Sequence, residues 1–284
     1  MIFFLLFIFG LVIGSFLNVV SLRYDGDHFV LDPRIIGGRS HCPSCGRILR
    51  WFELIPLVSF IIQGGRCRRC GAVLSFQYPV IELISGLLFV FVPWHIVGSD
   101  VASPAQWLLP ALWTLAFIVL LLASVIDTRT GIIPDELNIA LGIIAVIMGV
   151  FLATSSTGNA SLLGPIGDIF NSPFQNVWVG RVIGAVFGFI FFEFLVLVTK
   201  GKGIGMGDVK LALPLGLLFG WPDILPVVGS AFVCGAFVGI ILIVLKKKTM
   251  QGTLPFGPFL AFGAAFVFFL GAPVAQWYLH LIGF

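Results

Sequence analysis

The chain has 284 residues, of which 59% are hydrophobic and only 10% charged, with a formal net charge of +3. An average soluble protein is about 25% charged, so a globular chain this apolar could not cover its surface with polar groups. The composition excludes a soluble enzyme and gives no sign of a nucleic-acid partner; the bilayer must be the solvent.

Residues 1–20 form an apolar run with no basic residue before it, and the first basic residue, Arg23, follows it. A secretory signal would carry a positive start and a small-residue cleavage site, so the run reads as a retained first helix. Residues 21–77 are polar, basic and Cys-bearing. Apolar stretches follow near 78–98, 106–126, 136–154, 177–199, 209–222, 225–245 and 257–282. A spanning helix needs about 20 apolar residues, which predicts an all-α polytopic membrane protein of about eight transmembrane helices. The sixth is short, and a re-entrant segment is its alternative. The division is a first helix (1–20), a small cytoplasmic zinc-knuckle domain carrying four cysteines (21–77) and a membrane core (78–284) with an external loop at about 155–176, which holds Asp168.

Lys and Arg set the orientation. Residues 21–77 hold eight Arg; placing them in the cytoplasm also puts Arg129, Lys200, Lys202, Lys210 and Lys246 to Lys248 inside. Arg181 alone lies near the outer face. Both termini are then outside. Basic residues near the surface favour anionic lipid headgroups.

Four cysteines form Cys42-Pro43-Ser44-Cys45-Gly46 and Cys67-Arg68-Arg69-Cys70-Gly71, a pair of C-x2-C knuckles separated by 21 residues. Two thiolates two residues apart bind one metal when the chain turns tightly, and the Gly after each pair permits that turn. The two halves form a weak internal repeat. Structural zinc on Cys42, Cys45, Cys67 and Cys70 is the leading reading; iron suits the same thiolates, and a reducing cytoplasm opposes two disulfides. Cys234, within the seventh span, reads as a small buried residue.

Ionisable groups inside spans are costly and usually functional. Glu82, Asp127, Asp135, Glu136, Glu193 and Asp208 are the candidates. Asp127 closes the third span, and Gly131 and Pro134 stop that helix before Asp135, which is a candidate N-cap of the fourth. Asp208 follows Gly203-Ile204-Gly205-Met206-Gly207, whose bare backbone lets an extended peptide approach; its structural alternative is an N-cap. Asp127 and Asp208 share one end of the bundle, and two close carboxylates share a proton: one activates water while the other polarises a carbonyl. No Ser-His pairing or H-E-x-x-H motif competes.

Several ordered motifs resemble the type IV prepilin peptidases. They are Gly14-Ser15-Phe16-Leu17-Asn18-Val19-Val20, the two Cys knuckles, Leu49 through Pro56, Ser75 through Glu82, Asp127 through Asp135, Gly205-Met206-Gly207-Asp208 and Pro255-Phe256-Gly257-Pro258-Phe259. The resemblance implies a bacterial inner-membrane aspartyl endopeptidase that cuts the basic leader of prepilins or pseudopilins after Gly, at the cytoplasmic face. It implies Asp127 and Asp208 as the catalytic pair, Asp135 as a nearby third acid, and Gly205 and Gly207 on the substrate approach. Methylation of the new N-terminus with S-adenosylmethionine rests on resemblance alone. The rival readings are a proton-coupled transporter and a noncatalytic scaffold with a zinc domain.

Overall fold

A computed structural model of the chain describes residues 1–98, 104–154, 161–164, 167, 176–201, 203–246 and 254–281. Most of the expected external loop, Asp168 included, lies outside the described residues, as do Lys202, Lys247 and Lys248. Among the described residues eight long helices carry the fold: α1 (Ile2–Arg23), α2 (Gln77–Val97), α3 (Leu108–Thr130), α4 (Asp135–Thr154), α5 (Val177–Thr199), α6 (Met206–Phe219), α7 (Ile224–Val244) and α8 (Gly257–Leu281). Seven of them are long and apolar enough to cross a membrane. The exception is α6. Its 14 residues rise only about 21 Å, against a hydrocarbon core of about 30 Å. The chain falls into two compact units, Met1–Leu122 and Ala123–Phe284.

In the first unit α1 and α2 run antiparallel at close range. A Cβ on Gly10 would lie 2.8 Å from the Gly86 Cα, and one on Gly14 would lie 2.7 Å from the Glu82 Cα. Small residues let membrane helices approach backbone to backbone. Polar groups then bind across the seam. Ser85 Oγ donates to the Gly10 carbonyl at 2.7 Å, and the Asn18 amide donates to Tyr78 O at 3.1 Å. At the end of α1 the Arg23 guanidinium gathers the chain that follows, donating to the carbonyls of Ile35, Gly37 and Arg39.

In the second unit α5 and α6 are antiparallel, with Gly184 against Gly216 and Gly188 against Ala212. The α6 helix runs parallel to α4, joined by Lys210–Asp135 at one end and by Pro214 against Gly142 further along. Continuing the α5–α6 register places Asp208 level with Phe192. The helix α5 extends seven residues past that level, about 10 Å. The short α6 therefore begins well inside the level where α5 ends, and its other end reaches the start of α5, where the Trp221 N–H donates to Gly180 O at 2.8 Å. There Arg181 is buried and donates to the free carbonyls of Leu217 (2.8 Å) and Leu218 (3.2 Å). A cation at a helix C-terminus satisfies orphan carbonyls and opposes the dipole. The pair α7 and α8 is also antiparallel, with Gly235 facing the Phe259 ring.

Candidate active site and metal centre

The α3 helix ends at Thr130, where Gly131 adopts a left-handed φ of +67° and returns its N–H to Asp127 O at 2.8 Å. Asp127 therefore sits one turn inside the helix rather than beyond its end, and its side chain is buried. One carboxylate oxygen, Oδ2, accepts the Gly257 N–H at 2.9 Å. Gly257 opens α8, so the carboxylate meets the N-terminus of a 25-residue helix. The chain before Gly257 is seated by aromatic packing. Phe256 lies 4.8 Å from Phe232 and 5.9 Å from the fully buried Phe192, centroid to centroid.

Asp208 is the third residue of α6, and Gly205, not Asp208, is the N-cap. The Asp208 carboxylate reaches back to accept the Gly205 N–H at 3.2 Å. This reverses the N-cap alternative: Asp208 braces the cap instead of forming it. Asp208 is buried, and Asp127 and Asp208 act on each other electrostatically. Ile133 joins the two surroundings. A Cβ on Gly207 would lie 3.3 Å from Ile133, and a Cβ on Gly257 would also lie 3.3 Å from it.

Asp135 is the first residue of α4 and is exposed. Both of its oxygens accept Lys210 Nζ at 2.8 Å, so it ties α4 to the N-terminal part of α6. Asn138, one turn on, is buried with neither amide atom hydrogen-bonded among the described residues. Glu193 is half-buried on α5. Two acids with no assigned role turn out to hold the Cys-bearing region. Glu53 accepts Arg47 at 3.0 Å and the Arg50 N–H at 2.8 Å, and Glu82 accepts the Leu57 N–H at 2.8 Å. Gly257 is the site residue that sequence reasoning passed over. Its motif was visible, but its partner lies 130 residues away.

The two Cys knuckles are copies of one turn, 25 residues apart. Cys42 N–H donates to Arg47 O and Gly46 N–H to Cys42 O; Cys67 N–H donates to Ala72 O and Gly71 N–H to Cys67 O, all at 2.9 Å. Bridges His41–Ile48 and Arg66–Val73 close the two turns, and Gly46 and Gly71 take positive φ. The four sulfurs lie within 4.8 Å of one another, and Cys42 Sγ is 3.9 Å from Cys70 Sγ. Sulfurs around a tetrahedral zinc stand about 3.8 Å apart, given Zn–S of about 2.3 Å. The N–H groups of Cys70 and Arg69 pull the Cys67 thiol down to about 6. Cys70, although favoured as thiolate by the Ala72 N–H, is pushed up to about 11 by partial loss of solvent and by the neighbouring sulfurs. This is a donor set that a soft divalent cation would fit.

The fold and site together define a multi-pass helical membrane protein with two buried, interacting carboxylates and a four-cysteine cluster of metal-binding type. The chain matches the Bacterial Peptidase A24 N-terminal domain over residues 8–96 and the Type IV leader peptidase family over residues 114–240. Among its relatives is the Prepilin leader peptidase/N-methyltransferase of Burkholderia pseudomallei (strain 1026b), 33% identical over 93% of this chain and 84% of the relative. The proteins so named in Pseudomonas aeruginosa and Bacillus subtilis (strain 168) are 32% identical (97% of this chain, 92% of theirs) and 30% identical (98% of each). No solved structure matches the chain significantly. The chain belongs to the type IV leader peptidase family.

Proposed function

We propose that this chain is a prepilin leader peptidase in which Asp127 and Asp208 form the catalytic pair. One observation carries the reading: the two acids are buried and interact, and each is gripped by the N–H of a glycine. Such a pair holds one proton between two carboxylates. The ionised member takes a proton from water as it attacks the scissile carbonyl, and the protonated member donates to the carbonyl oxygen. Gly205, whose missing side chain would meet only its own turn, leaves room for an extended peptide beside Asp208, whereas Gly207 on the same approach is packed against Ile133. The substrate is a prepilin or pseudopilin with a basic leader cut after Gly. The positions of the basic residues support a cytoplasmic, inner-membrane orientation for this end of the bundle, and the same rule supports it for the Cys-bearing region. The opposite helix ends then face outward, so alkaline phosphatase fused after α8 is expected to be active; an inactive fusion would reverse the topology.

Cys42, Cys45, Cys67 and Cys70 would hold a structural zinc, which stabilises a region too small to build a core. The relatives' names carry N-methyl transfer, and we extend that activity, with S-adenosylmethionine as donor, to this chain. The test is cleavage of a prepilin-like peptide by the purified protein in detergent. Asp127→Asn and Asp208→Asn should each lower the rate by at least about 1,000-fold while the protein stays folded. Normal cleavage by either variant removes that residue from the pair. Adding S-adenosylmethionine should increase the product mass by one methyl; an unchanged mass removes the second activity.

A further inference from the structure

Residues 51–62, between the two knuckles, have a character that neither metal binding nor catalysis uses. The sequence is Trp51-Phe52-Glu53-Leu54-Ile55-Pro56-Leu57-Val58-Ser59-Phe60-Ile61-Ile62. Its one charge, Glu53, is buried against Arg47. The apolar side chains do not gather into a core. Trp51 is 78% exposed and Ile61 75%, with Ile62 and the neighbouring Phe76 similarly bare. A concentration of bare apolar groups on so small a region marks an interaction surface.

The backbone of this segment is anchored against the membrane hairpin. The Leu57 N–H is held by Glu82, in the second turn of α2 and directly across from Gly14 of α1. From Gly14 the α1 helix continues nine residues to Arg23, about 13 Å. The segment therefore runs beside the hairpin, within a side chain's reach of that level. Phe60 of the short helix Val58–Ile62 packs on Phe76, centroids 5.6 Å apart, just before α2 begins. Arg47 and Arg50 precede the segment and Arg66, Arg68 and Arg69 follow it; Arg68 lies over the Phe52 ring at 5.3 Å. Apolar and aromatic side chains bracketed by arginines and tied to the flank of two spanning helices fit the acyl–headgroup boundary of an anionic leaflet.

We propose that residues 51–62 form a monotopic wedge, inserted in the leaflet beside α1 and α2, with an anionic glycerophospholipid as its partner. Trp51, Ile61 and Ile62 enter the acyl boundary, and the exposed Arg50, Arg66, Arg68 and Arg69 meet phosphates, while Arg47 stays paired with Glu53. The wedge continues the lipid-facing surface of the hairpin and seats the metal knuckles on the bilayer.

The test replaces Ile61 with a diazirine-bearing phenylalanine analogue in the full chain, reconstituted in vesicles of phosphatidylethanolamine and phosphatidylglycerol. After illumination, mass spectrometry reads what has been added to that residue. Lipid adducts are expected at a yield similar to the same probe at Leu87, on the exposed face of α2, with phosphatidylglycerol over-represented relative to its share of the bilayer. Water adducts alone, or adducts to protein, would overturn the wedge. An unbiased headgroup distribution would overturn the role of the arginines. Bound metal is checked in each sample; if the Ile61 variant loses it, the probe at Trp51, outside the short helix, decides the question. Peptidase activity does not enter the readout, so the result stands apart from the catalytic assignment.

Discussion

Asp127 is positioned by an amide from another helix, and this makes Gly257 testable. A Cβ at Gly257 would lie 2.8 Å from Asp127 Oδ2, so Gly257→Ala must displace the carboxylate or the start of α8. A misplacement near 1 Å costs about 100-fold in rate. We expect kcat for leader cleavage to fall by about that factor with KM nearly unchanged; a fall in KM-side binding alone would assign Gly257 to substrate contact. The Lys210–Asp135 pair is half-exposed and, with solvent screening, is worth less than about 1 kcal/mol. Lys210→Met should accordingly shift the unfolding midpoint only slightly. The acids themselves were legible in the sequence because carboxylates are rare in apolar runs. Their glycine partners were not, since a glycine's value here lies in what a methyl group would strike.

At the scale of elements, the seam between α5 and α6 is closed by glycines. A Cβ on Gly184 would lie 2.6 Å from Gly216 O, and one on Gly216 would strike the Gly184 carbonyl. Overpacking of this kind costs about 1–3 kcal/mol. Gly216→Val should lower the thermal unfolding temperature in detergent, whereas Gly229→Val, at a glycine with open space around it, should not. Hydropathy located all eight helices because each apolar run is bounded by charge, Gly or Pro. It placed the sixth at 209–222, whereas α6 starts at Met206. The first five residues of α6 include Gly207, Asp208 and Lys210, which lower the local hydropathy although capping and the Asp135 pair make the segment helical. Likewise, α3 runs to Thr130 because Arg129, the charge after Asp127, belongs to its last turn.

At the scale of the whole molecule, the Cys-bearing region has bridges, turns and paired acids but little core, so its order should depend on the ion. Chelation at neutral pH, or Cys42→Ser, is expected to release the metal and accelerate hydrogen exchange across residues 40–74. Protection in α4 to α8 should be retained. Loss of protection throughout the chain would instead mean that the two units unfold as one. The regular spacing of the cysteines made this region legible. The wedge-like segment between them was hidden by the charges on either side, which made 21–77 look uniformly polar. The recessed start of α6 has one further consequence. With Asp208 about 10 Å short of the end of α5, a peptide bond locked in a helix at the rim stays out of range. About three residues in extended form, at roughly 3.3 Å each, bridge that gap. The enzyme would then act as a gauge of local unwinding: substrates should be sorted by how easily the chain at the cut straightens, as well as by the residues that flank it.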